Sequence, residues 1–320
     1  MTKFVILYKE NSAVIPAARA LQMETMLKSA PQCWIDPDRL KVLERIGEGA
    51  FSCVHAAHFE GRRVAVKMLS EFDNTHTSKV NEARILLECT RLQMTRVCEF
   101  IGYTVIYGQF CIVTKLYPGG DLKRELSRHE AGVQTADVLR YAEDVAAALQ
   151  QVHAAGVVVG DLKPANLLLD DDGRLVIADL GLAVQVDERT GYATVRKFGG
   201  TPGFMAPETI AGFGVKKIDN KADMYALGGV LFQLITGQHP PDLLRTAWIE
   251  SRWTNVSSEM LDAMARSRVS HDLIDLIDRC LSCEPEDRPD AETALKEIRR
   301  QQVETGKCRT EPGAPKTPPR

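Results

Sequence analysis

No apolar run in this sequence approaches the ~20 residues that a bilayer-spanning helix requires. The longest, YALGGVLFQLITG from Tyr225, falls well short and reads as a buried helix. Positive charge is not in excess either. Lys and Arg number 40 against 43 Asp and Glu, a net charge of -3, so there is no broad basic surface for nucleic acid. Cysteine is present but unorganised: of eight, only Cys280 and Cys283 form a CxxC, and with no second pair they read as helix residues near the core rather than a zinc or redox site. The opening MTKFVILYKENSAVIPAARA lacks the core and cleavage site of a signal peptide, and Thr2 excludes a myristoylation start. These absences predict an intracellular, cytoplasmic protein with no membrane insertion and no nucleic-acid partner.

At 320 residues, 44% of them apolar, the chain has the material for two units of roughly 150 residues. Residues 1–39 are an N-terminal extension, with helical spacing from Ala17 to Leu27 and no evident chemistry. From Leu40, LKVLERIGEGAFSCVHAAHFEGRRVAVKML alternates apolar and polar residues around glycine-bearing turns, which predicts short antiparallel strands. KVNEARILLE, Lys79 to Glu88, has helical spacing, and VCEFIGYTVI and QFCIVTKL return to strand. After YPGGD, helical patterns dominate, from VLRYAEDVAAALQQVHAAG to AETALKEIRRQQV. The last stretch, TGKCRTEPGAPKTPPR, is rich in proline and charge and predicts a flexible tail over 303–320. The insert-like TAWIESRWTNVSSEM, 246–260, carries two tryptophans that suit either packing or docking.

The chemistry follows this layout. In GEGAFSCV, Gly47 and Gly49 lie between two strand patterns, where the backbone can fold closely over a phosphate. Alone, the stretch is more commonly an unliganded hairpin. It is not a P-loop, because no GK[ST] follows, nor a Rossmann turn, because the next element is a strand. Lys67 is the polar residue of the apolar strand VAVKM, and Glu82 lies near the apolar stripe of the next helix. Paired, they would hold an amine where it can donate to two phosphates. In VVVGDLKPANLLLD, residues 157–170, the strand-like NLLLD and the RLVIADLG after Asp172-Gly173 suit a hairpin that carries Asn166 and Asp179. Two oxygen-bearing side chains beside phosphates are what Mg²⁺ takes, with few protein ligands. Asp161 would then face an attacking hydroxyl, and Lys163 would neutralise the transferring group.

These features in this order resemble the eukaryotic-type protein kinases, from about Leu40 to Arg300. The resemblance implies an α+β, bilobal protein-kinase-like fold: a small antiparallel-sheet N-lobe over 40–116 and a larger, mostly helical C-lobe over 117–302. Gly47, Gly49 and Ser52 match the glycine-rich loop, whose third glycine Ser52 replaces. Lys67 and Glu82 match the strand lysine and its helix partner, Asp161 the catalytic aspartate, and Asn166 and Asp179 the metal ligands, the latter within DLG instead of DFG. The family pattern further assigns Val54, Ala65, Leu168 and the Thr114 gatekeeper to cofactor binding, with Lys115 to Tyr117 as the hinge. Ala206 to Glu208 is the APE element, and Arg288 of CEPEDRP is the partner implied for its glutamate. Lys163 and Thr201 resemble the serine/threonine type, in which they bracket the catalytic aspartate. CWIDPDRLKVLERIGEG resembles the tyrosine-kinase-like group, which includes Raf-like and plant-type kinases.

The implied cofactors are ATP and Mg²⁺, and the implied partners are proteins with Ser/Thr acceptors together with a regulatory protein on the N-lobe helix. Two departures bear on this. Val159-Gly160-Asp161 stands where the family has His-Arg-Asp, so the arginine that would pair with an activation-loop phosphate is absent, while Val159 can still complete a hydrophobic spine with Leu86, Phe100 and Leu180. The stretch from Glu82 to Phe100 is also longer than usual, so the choice of Glu82 over Glu88 rests on its NEARIL context. The alternative to an active enzyme is a pseudokinase, a nucleotide-binding or interaction module.

Overall fold

The computed structural model describes residues 26, 28–49, 52–69, 76–128, 133–195, 199–210, 215–241, 258–267 and 269–310. The expected helix at Ala17 to Leu27, the two tryptophans of 246–260, and Arg196 and Lys197 lie outside the described residues apart from Met26. The chain divides into two compact units, Met1–Gly120 with Leu168–Val184 and Asp121–Leu167 with Gln185–Arg320.

The first unit carries the sheet. Five strands, β1 (Lys41–Gly49), β2 (Ser52–Phe59), β3 (Arg62–Leu69), β4 (Phe100–Ile106) and β5 (Gln109–Lys115), form an antiparallel sheet in the order β1-β2-β3-β5-β4. Because strand side chains alternate between faces, the register sorts the residues into two sets. Ala57, Val64, Val66, Met68, Cys111 and Val113 point one way into an apolar core joined by Ile35 and Leu40. The opposite face carries Val54, Ala65, Lys67 and Thr114. The segment before β1 closes the β4 edge, where Ile35 N–H donates to the Tyr103 carbonyl at 2.9 Å and the Trp34 and Tyr103 rings meet edge to face.

Helix α1 runs His76–Arg91, longer at both ends than Lys79 to Glu88. The extension at its C-terminal end takes up three residues of the long interval between Glu82 and Phe100, and Gln93, at φ 55°, turns the chain back towards β4. Glu88 is exposed on this helix and Glu82 is buried.

The second unit is helical: α2 (Leu122–Leu126), α3 (Thr135–Ala154), α4 (Pro207–Ile210), α5 (Lys221–Thr236), α6 (Ser258–Ala265), α7 (His271–Cys280) and α8 (Ala291–Thr310). α5, the long apolar run, is buried nearly throughout and packs against α3 and α7, and α8 packs along α3. Between α3 and α5 the remaining strands are short: β6 (Val157–Val158), β7 (Leu167–Leu169), β8 (Leu175–Ile177), β9 (Val184–Gln185), β10 (Ala193–Val195) and β11 (Lys216–Ile218). β7 and β8 pair as the predicted hairpin, closed by Asp170 N–H to the Arg174 carbonyl at 2.9 Å.

Two expectations are corrected. α8 continues to Thr310, so the stretch expected to be tail from 303 begins as helix, consistent with the low cost of extending a helix once it is formed. Cys283 lies beyond the end of α7, so only Cys280 of the CxxC is a helix residue.

Candidate active site

In the first unit the charged residues converge on Lys67. Its ammonium lies 2.7 Å from Glu82 Oε1 and 2.9 Å from Asp179 Oδ1. β3 supplies the lysine and the inner face of α1 the glutamate. Asp179 follows β8, which is fixed to the α1–β4 connection by Cys98 N–H to the Ile177 carbonyl at 2.8 Å and Ile177 N–H to the Arg96 carbonyl at 3.0 Å. Asp179 Oδ1 also accepts Gly181 N–H at 2.9 Å. A Cβ on Gly181 would come within 3.0 Å of that same oxygen, which favours glycine after the aspartate.

Burial by itself would lower the Lys67 pKa, but the carboxylates of Glu82 and Asp179 outweigh it and hold the ammonium above the ordinary lysine range. Burial pushes the Glu82 carboxyl up, and the Lys67 charge opposes that shift. Two carboxylates share one ammonium, so the cluster is electron-rich and suited to a cation beside Asp179.

Val54, Ala65, Lys67 and Thr114 line the same sheet face because Val54 is registered opposite Lys67 and Ala65 opposite Thr114. Gly47 sits opposite Val54 and Gly49 opposite Ser52, while Ala50 and Phe51 at the turn lie outside the described residues. Lys115 N–H donates to the Glu99 carbonyl at 3.0 Å. Tyr117 turns inward, its hydroxyl accepting Glu99 N–H at 3.2 Å. Leu168 lies on β7, which is joined to the stretch after Tyr117 through Leu169 N–H to the Gly120 carbonyl at 2.9 Å. A Cβ on Gly119 would come 2.6 Å from Leu169 Cβ, so this approach requires glycine.

In the second unit Asp161 is bracketed on both oxygens. Lys163 Nζ lies 2.6 Å from Oδ2, and the Thr201 hydroxyl donates to Oδ1 at 2.9 Å. Lys163 Nζ also donates to Thr201 Oγ1 at 2.7 Å, so the three side chains form a closed triangle. Asn166 donates from Nδ2 to the Asp161 carbonyl at 2.8 Å, which fixes the amide and leaves its carbonyl oxygen as the end suited to a hard cation. Beside this triangle a small cleft is lined by Gly160, Thr201, Phe204 and Met205. Glu208 and the fully buried Arg288 form a two-pronged ion pair at 2.7 and 2.8 Å, anchoring α4.

Leu86, Phe100 and Leu180 are buried in the first unit and Val159 in the second. Sequence reasoning passed over three residues. Asn81, beside Glu82, donates to the Ala183 carbonyl at 3.1 Å, so α1 also holds the stretch after Asp179. Burial pushes the Cys98 thiol up to about 12, against an opposing influence of the neighbouring Thr114 and Tyr117 side chains. Asp223, the acidic residue in the first turn of α5, binds the backbone just ahead of Asp161. An acid at the start of an otherwise apolar buried helix was the available signal for it.

Among the described residues no three His, Cys, Asp or Glu side chains gather as an all-protein metal cage. A family profile described as protein kinase domain matches residues 40–298. The G protein-coupled receptor kinase 2 of Caenorhabditis elegans is 36% identical over 206 residues, covering 61% of this chain and 28% of that protein. The RasGEF domain-containing serine/threonine-protein kinase X of Dictyostelium discoideum is 29% identical over 267 residues, 82% of this chain and 27% of that protein. The serine/threonine-protein kinase STY46 of Arabidopsis thaliana is 29% identical over 206 residues, 64% of this chain and 35% of that protein. The chain thus spans about a third or less of the length of these relatives.

Proposed function

This chain belongs to the protein kinase domain family, and on that premise we propose that it transfers the terminal phosphoryl group of ATP to serine and threonine hydroxyls of proteins. The observation that carries this reading is the Asp161–Lys163–Thr201 triangle. Asp161 is aimed and held by two donors, so it can orient an acceptor hydroxyl and take its proton as the oxygen attacks. Lys163 is placed to offset charge on the transferring group. Catalysis of this kind is mostly positioning and electrostatics.

Lys67, held by Glu82, is assigned to the phosphates, and Val54, Ala65, Thr114, Leu168 and the hinge to the base and sugar side. The donor types fit Mg²⁺: a carboxylate at Asp179 and an amide oxygen at Asn166, both hard oxygens and neither a thiolate nor an imidazole. Bound there, the ion would neutralise phosphate charge. The lead-in CWIDPDRLKVLERIGEG supports placement in the tyrosine-kinase-like group, and Gly160 marks a catalytic loop without the family arginine. We take 40–116 and 117–302 as the two lobes, and α1, which presents Glu82, as the surface through which a regulatory protein would act. The described cysteines are free thiols, which supports an intracellular, reducing setting, and no described helix is long and apolar enough to cross a membrane.

The test is incubation with Mg-ATP and a peptide library, with phosphosites read by mass spectrometry, for wild type and Asp161→Asn. Phosphate on serine and threonine is expected from the wild type, with a large loss of turnover and intact nucleotide binding in the variant. Wild-type turnover in Asp161→Asn would remove the role given to Asp161, and a wild type that transfers no phosphate would leave the pseudokinase alternative to account for the fold.

A further inference from the structure

Over the described residues 185–195, the chain is tied down by hydrogen bonds of its own. Gln185 donates from its side chain to the Ala155 and Gly156 carbonyls at 2.9 and 3.0 Å. Val186 N–H donates to the Gly156 carbonyl at 2.8 Å. Asp187 then closes a turn: its Oδ1 accepts Arg189 and Thr190 N–H at 3.0 Å each, and its carbonyl accepts Gly191 N–H at 2.8 Å.

From this turn the chain enters β10, which pairs antiparallel with β11, Ala193 opposite Ile218, Thr194 opposite Lys217 and Val195 opposite Lys216. Ala193 and Ile218 are buried together, whereas Thr194 and Lys217 face outward. On that outward face the Lys217 ammonium lies 4.6 Å from the centre of the Tyr192 ring, a cation–π contact across the ladder. β10 precedes the stretch Thr201 to Ala206 and β11 follows it. One short ladder therefore closes the loop that carries Thr201 to Asp161 and lines the adjoining cleft. A three-pair ladder is marginal by itself, and cross-strand side-chain pairs decide whether such a ladder forms.

We propose that Tyr192 and Lys217 are positioning residues whose clasp across β10 and β11 holds the acceptor-side stretch Thr201 to Ala206 without a phosphate, in place of the arginine absent at position 160. The inference rests on the kinase reading for its kinetic consequence and on geometry alone for the clasp. The cation that would otherwise need a phosphate partner is supplied from β11 and takes an aromatic face. Thr194 and Thr190 are outside the requirement. A phosphate on either would add charge near Lys217 but is not what forms the ladder.

The experiment uses the full chain, phosphatase-treated and kept free of re-phosphorylation, as wild type, Tyr192→Ala, Tyr192→Phe, Lys217→Ala, Lys217→Arg and Tyr192→Ala/Lys217→Ala. The first readout is amide hydrogen exchange over 193–195 and 216–218, which does not depend on activity. The second is KM for ATP, KM for one serine/threonine peptide chosen from a library, and kcat. The alanine variants should exchange faster and raise the peptide KM severalfold with the ATP KM unchanged. Tyr192→Phe and Lys217→Arg should restore both, and the double variant should be no worse than either single one. Additive alanine effects, or exchange at the wild-type rate in Lys217→Ala, would overturn the clasp. A many-fold loss of wild-type activity on phosphatase treatment, regained by phosphorylating Thr190 or Thr194, would overturn the claim that no phosphate is needed. A wild type that transfers no phosphate to any peptide would sink the kinase reading instead, and the exchange pattern alone would then decide the clasp.

Discussion

Asp223 holds Gly160 by its backbone: Gly160 N–H donates to Asp223 Oδ1 at 2.9 Å, and Val159 N–H donates to Oδ2 at 2.8 Å. His153 Nε2 lies 2.8 Å from the same Oδ2, so the buried carboxylate of α5 gathers three groups, from α3 and from the loop ahead of Asp161. The loop is therefore set by main-chain hydrogen bonds that need no side chain at position 160. Gly160 itself is at φ 81°, a left-handed conformation that glycine adopts without steric cost.

Substitution at these two positions should separate shape from charge. Gly160→Ala and Gly160→Arg should each destabilise the protein by about 1–3 kcal/mol, the cost of a strained left-handed residue. Asp223→Ala should cost more, since it leaves the buried Val159 N–H without an acceptor at roughly 1–3 kcal/mol and takes the acceptor from the half-buried Gly160 N–H as well. Urea unfolding of the three variants measures this order. A Gly160→Arg protein as stable as wild type would show that the loop relaxes out of the observed conformation.

Asp179 and Asp161 should fail differently. Asp179→Asn removes one of the two carboxylates on Lys67 and the charged member of the proposed metal pair, so ATP affinity should drop in the presence of Mg²⁺ and change little in its absence. Asp161→Asn should leave both affinities intact, because nothing on Lys67 changes. Titration calorimetry with and without Mg²⁺ separates the two variants, and equal Mg²⁺ dependence in Asp179→Asn and wild type would remove Asp179 from the metal site.

Much of this was legible in the sequence because alternation fixes which residues share a face. Strand period alone puts Lys67 and Ala65 on one face of their strand, while Val54 came from the family pattern and its place opposite Lys67 from the register, and the turn at Asp172-Gly173 announced the hairpin before Asp179. The DLKPAN order placed Lys163 beside Asp161, and GGTPGF suggested Thr201, though only the fold brings that hydroxyl to Oδ1. What escaped were contacts between segments distant in sequence with no periodic signal. Asp223 reads as an ordinary helix-start acid until the loop at 159–160 lies over it. Cys98 reads as a core residue until Thr114 and Tyr117 converge on it. The β10–β11 pairing joins three-residue strands too short to show alternation, and α8 continues past Val303 where composition had suggested a tail.

The gatekeeper can be tested with inhibitors. Thr114 is small and shares its sheet face with Ala65 and Lys67, so aromatic groups should enter behind the base-binding region. Thr114→Met should weaken such compounds by roughly 1–3 kcal/mol through overpacking. It should also disturb the Cys98 and Tyr117 contacts, so ATP KM serves as the control. Equal inhibitor affinity for wild type and Thr114→Met would mean that the hinge placement of Lys115 to Tyr117 is wrong.

The ion cluster makes a prediction about pH. The Lys67 pKa is raised in the folded state because Glu82 and Asp179 together outweigh its burial. A raised pKa means that the folded protein binds the proton more tightly than the unfolded chain, so the stabilisation is fully present below the ordinary lysine value of 10.5 and fades as pH rises through the higher folded value. Across neutral pH the Lys67 contribution should therefore be flat. Lys67→Met leaves Glu82, at 3% exposure, without its cation, and breaking such a buried pair costs about 3–5 kcal/mol. Burial already pushes the Glu82 carboxyl up, and removing the ammonium should raise it further, so part of that loss should be recovered as pH falls and the orphaned carboxyl takes a proton. Urea midpoints of wild type and Lys67→Met between pH 5 and 9 test this: their difference should be largest at the alkaline end and narrow towards pH 5. A difference that widens on acidification would show that Glu82 is not the group compensated by Lys67, and the assignment of the pair would have to move to Asp179 alone.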